Sequence, residues 1–402
     1  MKKLAIITLL AALIATILSG QQQPVPPPFE QHPMVREGAT WVQATTGAFP
    51  CAIRGSVKVV ATGSVSVRGM SRDDCGFRIK QRVPATGSSE AAARSQMRGF
   101  EILSRSAVET SILTITPGEG SIAYLEIEIW VPYTMRETSV NTRFGALKAL
   151  AVEGSLKMES GGGPVEADKI GGSAILRTAG GQMSIGSIGG ALHCYSGGGY
   201  IHVQRVTSEA WCDTAGGDIK IGEVTGPLHL TTGGGNIEVI KAGANVSARS
   251  LSGIIDIQDA AGIVTAVARG GSIQIGNAKG ARCEASGGAI KVRSQDGPLR
   301  LSTAIGNILA ALVPGAAQRY EDSFLNSESG DVTLLIPSAF GVTIAAMNET
   351  PGMRGLIVSE FPEVRITRDG MNPVRAEGAI NGGGPLLRVS TASGNIFLKK
   401  QR

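Results

Sequence analysis

Aromatic residues are scarce in this sequence, in which phenylalanine, tryptophan and tyrosine together make up 4% of 402 residues. A core with so little aromatic volume must bury its surface in another way, and stacked short strands with small inward side chains can do so. Glycine is abundant instead, with 55 residues, about twice its usual share. This composition favours a repetitive β-structure.

The sequence also lacks a strong excess of charge of either sign. The net charge is +5, and acidic and basic residues alternate along the chain. Nucleic-acid-binding proteins usually concentrate their basic residues in one region, so we do not expect nucleic acid as a partner. The sequence contains no phosphate-binding loop, nucleophile motif or metal-ligand spacing, and we therefore predict no cofactor and no metal site.

Long apolar runs are confined to the N-terminus, where two lysines precede a run from Leu4 to Leu18. This arrangement is typical of a secretory signal peptide cleaved after Gly20, and Gln21 is not the cysteine that a lipoprotein needs. An uncleaved membrane anchor is the alternative, although the run is shorter than the roughly 20 residues of a membrane span. We predict an exported protein of the periplasm, cell surface or extracellular space. If the signal segment is not cleaved, that segment is the only part expected to contact the membrane.

The main positive signal is a pattern that returns about every 18 residues. The isoleucine-type residue that follows each glycine cluster occurs at Leu147, Val165, Met183, Ile201, Ile219, Ile237, Ile255, Ile273, Ile290 and Ile308. A fixed period indicates one structural unit stacked on itself. We therefore predict an all-β fold, a parallel β-solenoid or β-helix with about 18 residues per coil. A left-handed hexapeptide helix ranks second, because the signal does not recur every six residues.

Numbering each coil from its isoleucine-type residue (position 0) reveals columns of similar residues. From the coil of Val165 onwards, positions −9, −7 and +2 are apolar throughout, whereas position +1 is mostly polar. This alternation predicts two strands per coil, each with one buried face. Glycine-rich corners separate the strands. We attribute these glycines to two needs: sharp corners require positive φ, and coils stacked about 4.8 Å apart leave little room for side chains at the bends.

The remaining segments depart from this period. We assign residues 1–20 to the signal peptide, 21–40 to a Pro-rich linker, 41–135 to an N-terminal β region with one short helix at 88–100, 136–313 to the solenoid repeats, and 314–402 to a C-terminal solenoid continuation and cap. Solenoids require terminal units that cover their open strand edges.

Several motifs occur in a characteristic order along residues 55–400. They are the Ser64–Arg68 strand with its turn at 70–73, the 129–132 strand end leading into 140–145, the Ser-Gly-Gly-x-Ile and Thr-Ala-Gly-Gly-x-Ile units, Ile336-Pro337 and the closing segment 393–398. Together they resemble the bacterial putative-adhesin family of exported β-solenoid domains of unknown function. The resemblance implies this fold and a setting in the cell envelope, and it implies no catalytic residues.

The five cysteines are an odd number, so at least one is unpaired if all disulfides are internal. Cys51 and Cys75 flank the first strand-like segment, and we predict that they form a disulfide. Cys194, Cys212 and Cys283 share position −7 with leucine, methionine and alanine, which indicates buried thiols used as apolar groups. Cys194 and Cys212 lie in adjacent coils, so the sequence is compatible either with a disulfide between them or with two free thiols. Cys283 should be unpaired.

One outward cluster of residues is distinctive. It contains His193, Trp211 and His229 at position −8 and Tyr195 and Asp213 at position −6. Aromatic rings beside hydrogen-bonding groups suit sugar faces and protein interfaces; the alternative is packing against the cap or an ordinary solvated face. The two histidines are two coils apart, about 9–10 Å, which is too far to share one zinc ion.

Parallel β-helices include polysaccharide lyases and hydrolases, which need converging carboxylates. We expect the outward acids not to occupy neighbouring coils of one column; they are Glu166, Asp213, Glu238, Asp256 and Glu284. The sequence therefore favours a non-enzymatic scaffold, an adhesin-like or cell-envelope binding or structural module whose partner is a surface glycan or an envelope protein. A carbohydrate-active β-helix enzyme is the alternative.

Overall fold

The computed structural model describes residues 26–401, apart from residues 53, 86–88, 296, 314–320, 351–355 and 369–372. The predicted signal peptide lies outside the described residues. Within the described part of the chain, no helix combines the length and the apolar character that a membrane span requires. The chain divides into two compact units, residues 1–196 and 197–402, which are described separately.

Each unit consists of coils that add one strand to each of two sheets, and most neighbouring strands are parallel. Sheet 1 contains the strand before each glycine-rich corner, and sheet 2 contains the strand that begins at position 0. The predicted parallel β-solenoid is thereby confirmed.

In the first unit, sheet 1 runs in spatial order through β7 (Phe100–Ser106), β8 (Thr110–Pro117), β4 (Ser56–Ala61), β10 (Glu137–Thr142), β12 (Ser155–Ser160), β14 (Ala174–Thr178) and β16 (Leu192–Ser196). Sheet 2 runs through β3 (Thr40–Phe49), β6 (Cys75–Pro84), β9 (Tyr124–Pro132), β5 (Ser64–Met70), β11 (Leu147–Val152), β13 (Val165–Ile170) and β15 (Met183–Ile188). Two short strands, β1 (Phe29–Gln31) and β2 (Val35–Glu37), pair with β3.

In the second unit, sheet 1 runs in spatial order through β18 (Ala210–Thr214), β20 (Leu228–Thr232), β22 (Val246–Ser250), β24 (Ile263–Ala268), β26 (Gly280–Ala285), β28 (Leu299–Ile305), β30 (Ser323–Ser329), β36 (Leu386–Ser393), β32 (Val342–Asn348), β35 (Val374–Ile380) and β34 (Arg365–Thr367). Sheet 2 runs through β17 (Ile201–Val206), β19 (Ile219–Val224), β21 (Ile237–Ala242), β23 (Ile255–Ala260), β25 (Ile273–Ala278), β27 (Ile290–Gln295), β29 (Ile308–Leu312), β31 (Val332–Pro337), β37 (Asn395–Gln401) and β33 (Leu356–Ser359).

The core lies between the two sheets of each unit, and its side chains come from the predicted columns. In one coil, Leu228, Leu230, Ile237 and Val239 are each at most 1% exposed. Leu228 pairs in register with Val246 of the next coil, so apolar columns run along the stack. Successive side chains point to opposite faces of a strand, so the residues between these buried positions must face outwards.

A column of buried hydroxyl groups at position −5 lines the glycine-rich corner. Its members each donate to a corner glycine carbonyl of the neighbouring coil, and they are Thr142, Ser160, Thr178, Ser196, Thr214, Thr232, Ser250, Thr303, Ser327 and Thr391. Thr232 is representative, since its Oγ1 donates to the Gly217 carbonyl at 2.8 Å and accepts from the Gly235 amide at 3.1 Å. Each such hydroxyl satisfies backbone groups at a bend where the ladder of strand hydrogen bonds stops.

The corner glycines fall into two classes with different structural reasons. At position −2, a Cβ on Gly235 would overlap the carbonyl oxygen of Gly217, so only glycine fits. At position −3, a Cβ on Gly234 would lie 3.5 Å from its nearest neighbouring atom, which is ordinary contact. Positive φ occurs among the described corner glycines at Gly63, Gly145, Gly306 and Gly330. The expectation of positive φ is therefore wrong for most of these corners, because close stacking of the coils is the main constraint.

Both units contain a coil that is inserted between coils from distant parts of the chain. In the first unit, β4 lies between β8 and β10, and β5 lies between β9 and β11. In the second unit, β36 lies between β30 and β32, and β37 lies between β31 and β33. The motif repeats at Gly330 and Gly394 are therefore spatial neighbours, although they are 64 residues apart in sequence, and Gly330 N–H donates to the Ser393 carbonyl.

The segment predicted as a linker, residues 21–40, differs from expectation in its described part, because β1 and β2 form antiparallel pairs with β3. The backbone of β3 offers hydrogen-bonding groups along its free edge, and the short strands satisfy them. Nearby, the helix α1 (Glu90–Met97) begins after its N-cap Ser89, whose Oγ accepts from the Ala92 amide. A disulfide joins Cys51 to Cys75, whose Cα atoms are 5.9 Å apart.

We predict that Thr232→Val lowers the free energy of unfolding by about 1–3 kcal/mol, because it leaves two buried backbone groups without their hydroxyl partner. Urea unfolding followed by circular dichroism measures this change. Thr231→Val is the matched control, since Thr231 is exposed on the same strand, and it should change stability by less than about 0.5 kcal/mol. Equal effects of the two substitutions would contradict a stabilising role for the hydroxyl column.

We predict that Gly235→Ala is strongly destabilising whereas Gly234→Ala is nearly neutral, although the two glycines are adjacent. The added methyl group collides with backbone at Gly235 and makes only ordinary van der Waals contact at Gly234. The melting temperatures of both variants provide the measurement. Similar losses in the two variants would show that backbone conformation, rather than the distance between coils, requires glycine at this corner.

Candidate functional site

Side chains along the strands of sheet 1 alternate between the core and the outer face, and this alternation places the predicted cluster on the outer face. Two of its residues lie in the first unit and three in the second. In the first unit, β16 buries Leu192, Cys194 and Ser196 and exposes the two residues between them. His193 and Tyr195 are therefore on the outer face, and Tyr195 is 51% exposed. A phenol and an imidazole at this spacing offer hydrogen-bonding groups beside an aromatic ring.

The second unit carries the other three predicted residues on β18 and β20. Trp211 pairs in register with His229, and their rings stack with centroids 3.9 Å apart at an angle of 21°. The indole remains 41% exposed, and Asp213 lies two residues further along the same face, half-buried and in register with Thr231. The result is a flat aromatic surface beside a carboxylate and a hydroxyl group.

The three cysteines of the repeat face the opposite way, into the core. Cys194, Cys212 and Cys283 are buried, as expected for position −7. Burial raises the pKa of the Cys283 thiol well above its ordinary value. Because a thiolate, rather than a thiol, is the reactive form of cysteine, Cys283 is unsuited to nucleophilic catalysis.

A shallow polar cleft on sheet 2 of the second unit was not found from the sequence. It has a volume of about 360 Å³, and its polar lining consists of Asp256, Gln258, Gln274, Asn277 and Arg293. These residues come from β23, β25 and β27. In the sequence, these amide and charged residues recur at positions +1, +3 and +4 of successive coils. Only the register of the coils in the structure shows that they lie side by side.

A second shallow cleft lies on sheet 2 of the first unit. Its volume is about 280 Å³, and Arg68, Glu128, Trp130 and Lys148 contribute to its lining. The guanidinium of Arg78 lies 5.5 Å from the centroid of the Trp130 ring. Cation–π contact of this kind holds the indole in place, so the cleft has an aromatic wall and charges of both signs.

The expected dispersion of the outward carboxylates is wrong at one place. Glu238 and Asp256 both occupy position +1, and they pair in register on the adjacent strands β21 and β23. Glu238 also accepts a hydrogen bond from the Lys220 ammonium at 3.0 Å. Because residues 18 apart lie side by side on adjacent coils, these two acids are neighbours in space although they are distant in sequence.

Metal-binding chemistry has little support on the described surface. Among the described residues, no group of three or more His, Cys, Asp or Glu side chains is placed to hold a metal ion. His229 instead stacks on Trp211. An imidazole in such a stack serves as an aromatic surface with hydrogen-bonding edges.

Comparison with solved structures yields remote likenesses. No family model matches the chain, and no curated protein matches it. A solved structure described as a putative cell adhesion protein from Clostridium sporogenes is 12% identical, with 93% of this chain and 100% of that chain covered, at a TM-score of 0.20. A likeness at that TM-score carries no argument, and membership of the bacterial putative-adhesin family stays a prediction.

Proposed function

We propose that the protein is an exported, non-enzymatic β-solenoid that acts as an adhesin-like or cell-envelope binding module. The observation that carries this proposal is the exposed indole of Trp211, which stacks on His229. The Trp211 ring is already held in place by its stack with the His229 ring on the neighbouring strand, so it loses little conformational entropy when a ligand binds. It is therefore an effective anchor.

The surroundings of Trp211 suit a surface glycan or an envelope protein. An indole face packs against the apolar face of a sugar ring or against an apolar side chain of a protein. Asp213 and Thr231, which lie in register two residues further along the strands, supply an acceptor and a hydroxyl group for the polar edge of the same ligand.

Export is supported by the N-terminal sequence and by the disulfide between Cys51 and Cys75. Disulfides persist in oxidising compartments such as the periplasm and the extracellular space, and they are rare in the cytosol. A binding module in the cell envelope would be found in those compartments.

We expect Trp211→Ala to weaken binding to the protein's glycan or envelope-protein ligand about thirtyfold or more, because hot-spot aromatic residues contribute about 2 kcal/mol or more. A glycan array and a pull-down from envelope fractions with the exported chain identify the ligand, and titration calorimetry then measures the loss. Tyr200→Ala is the control, since Tyr200 is 42% exposed on the same unit. A large fall in melting temperature for Trp211→Ala would show instead that the indole is a packing residue.

The in-register pair of Glu238 and Asp256 is the observation that favours the alternative, a carbohydrate-active enzyme. If the pair is catalytic, the chain should depolymerise a polysaccharide, and Glu238→Gln and Asp256→Asn should each abolish the activity. Glu166→Gln is a matched control, since Glu166 is ion-paired to Lys148 much as Glu238 is to Lys220. Unchanged polysaccharide viscosity with the unmodified chain would reject the enzyme and favour the binding module.

A further inference from the structure

Four exposed side chains form a straight line across sheet 1 of the second unit. Arg282, Arg300, Phe324 and Arg388 lie on β26, β28, β30 and β36, and each is in register with the next. Neighbouring strands lie about 4.8 Å apart, so these residues form a continuous stripe. We call these four residues the arginine stripe.

Two of the guanidinium groups are held by the phenylalanine ring between them. The Cζ atom of Arg300 lies 5.6 Å from the ring centroid of Phe324, and that of Arg388 lies 5.8 Å from it. Stacking on a ring orients a guanidinium while leaving its N–H edge available for hydrogen bonds. Phe324 remains 37% exposed, so an apolar face is accessible between two fixed cations.

Elsewhere in the second unit, some register pairs of basic and acidic residues form ion pairs. Lys220 and Glu238 are 3.0 Å apart, and Arg205 and Glu223 are 3.1 Å apart. In the arginine stripe, by contrast, two arginines are directly opposite each other. Like charges in that arrangement destabilise a sheet, so the stripe is unfavourable for the fold and calls for another explanation.

The charge of the arginine stripe is not neutralised within the described part of the chain. No ion pair among the described residues joins Arg282, Arg300 or Arg388 to a carboxylate. The nearby acids make no ion pair with the stripe: Glu284 is two residues along β26 from Arg282, and Glu377 is separated from Arg388 by the strand that carries Ala345. Asp322 is two residues before Phe324, and its carboxylate accepts a hydrogen bond from the Leu386 amide. The stripe therefore presents its positive charge to solvent.

A second column of hydrogen-bonding groups runs beside the arginine stripe. Ser302, Asn326 and Ser390 are in register two residues further along β28, β30 and β36. The Ser390 hydroxyl donates to Oδ1 of Asn326 at 2.7 Å, which leaves the amide N–H groups of Asn326 and the Ser302 hydroxyl facing outwards. Hydroxyl and amide groups of this kind bind sugar hydroxyl groups.

We propose that the arginine stripe is a binding site for an extended anionic polysaccharide. Carboxylate or sulfate groups bind the guanidinium edges, the apolar face of a sugar ring packs on Phe324, and sugar hydroxyl groups bind the neighbouring polar column. An acidic protein would not need that polar column, and the modest net charge of +5 is unlike that of a nucleic-acid-binding protein. The proposal goes beyond the Trp211 site, since it concerns other residues and a different ligand chemistry.

The test measures binding of the exported chain to polygalacturonate, with dextran, polyglutamate and single-stranded DNA for comparison. We expect polygalacturonate to bind more tightly than the other three polymers and its affinity to fall as salt rises. Substituting Arg282, Arg300 and Arg388 together by Gln should weaken this binding about tenfold or more. Phe324→Ala should weaken binding of polygalacturonate more than any weak binding of polyglutamate. Both polymers lose the ring that orients two guanidinium groups, but only the sugar also loses a packing surface.

Two controls make the outcome decisive. A matched variant replaces Arg177, Arg249 and Arg269 by Gln, which removes the same charge from exposed sites outside the arginine stripe, and it should bind within about twofold of the unmodified chain. Equal losses in both triple variants, tighter binding of polyglutamate or DNA, or no binding of polygalacturonate would overturn the proposal.

Arg282→Gln, which disturbs no ring contact, replaces the triple variant if that variant fails to fold. Trp211→Ala should leave polygalacturonate binding unchanged, which separates this site from the proposed function.

Discussion

The structure depends on how closely two glycine-rich corners approach each other. At position −2 the coils are so near that only glycine fits, as between Gly235 and Gly217, and the Thr232 hydroxyl then bridges the same two corners. Without this bridge, buried amide and carbonyl groups would lack partners at the bends where position −5 is serine or threonine. Close corners keep successive strands in register, and this register in turn decides which outward side chains become neighbours.

Register also explains why the two proposed binding surfaces are flat. A coil of 18 residues contributes one side chain to each outward column, so a site is assembled from equivalent positions of several coils rather than from one loop. Trp211 with His229 and the four residues of the arginine stripe are both built in this way. Such columns suit long, regular ligands more than small molecules that require an enclosed pocket.

Much of the core could be predicted from the sequence, because the period of 18 residues places Leu228 and Ile237 in phase with their counterparts along the chain. The hydroxyl column was missed, since serine and threonine are usually exposed and only the close corner gives them buried partners. The arginine stripe was missed for a different reason: Arg388 follows a long excursion of the chain, and periodicity cannot reveal that its strand returns beside Phe324.

The inserted coils determine the order in which the molecule can be assembled. The strands β36 and β37 are synthesised after β30 to β35, yet they lie between pairs of those earlier strands. In the first unit, β4 and β5 must wait for β8 to β11 before both of their edges are covered. A chain that emerges N-terminus first therefore cannot complete this fold by adding one coil after another. Each inserted coil is complete only when a segment made later joins segments made earlier. Afterwards neither inserted coil can leave its sheets while its two neighbouring coils remain in place.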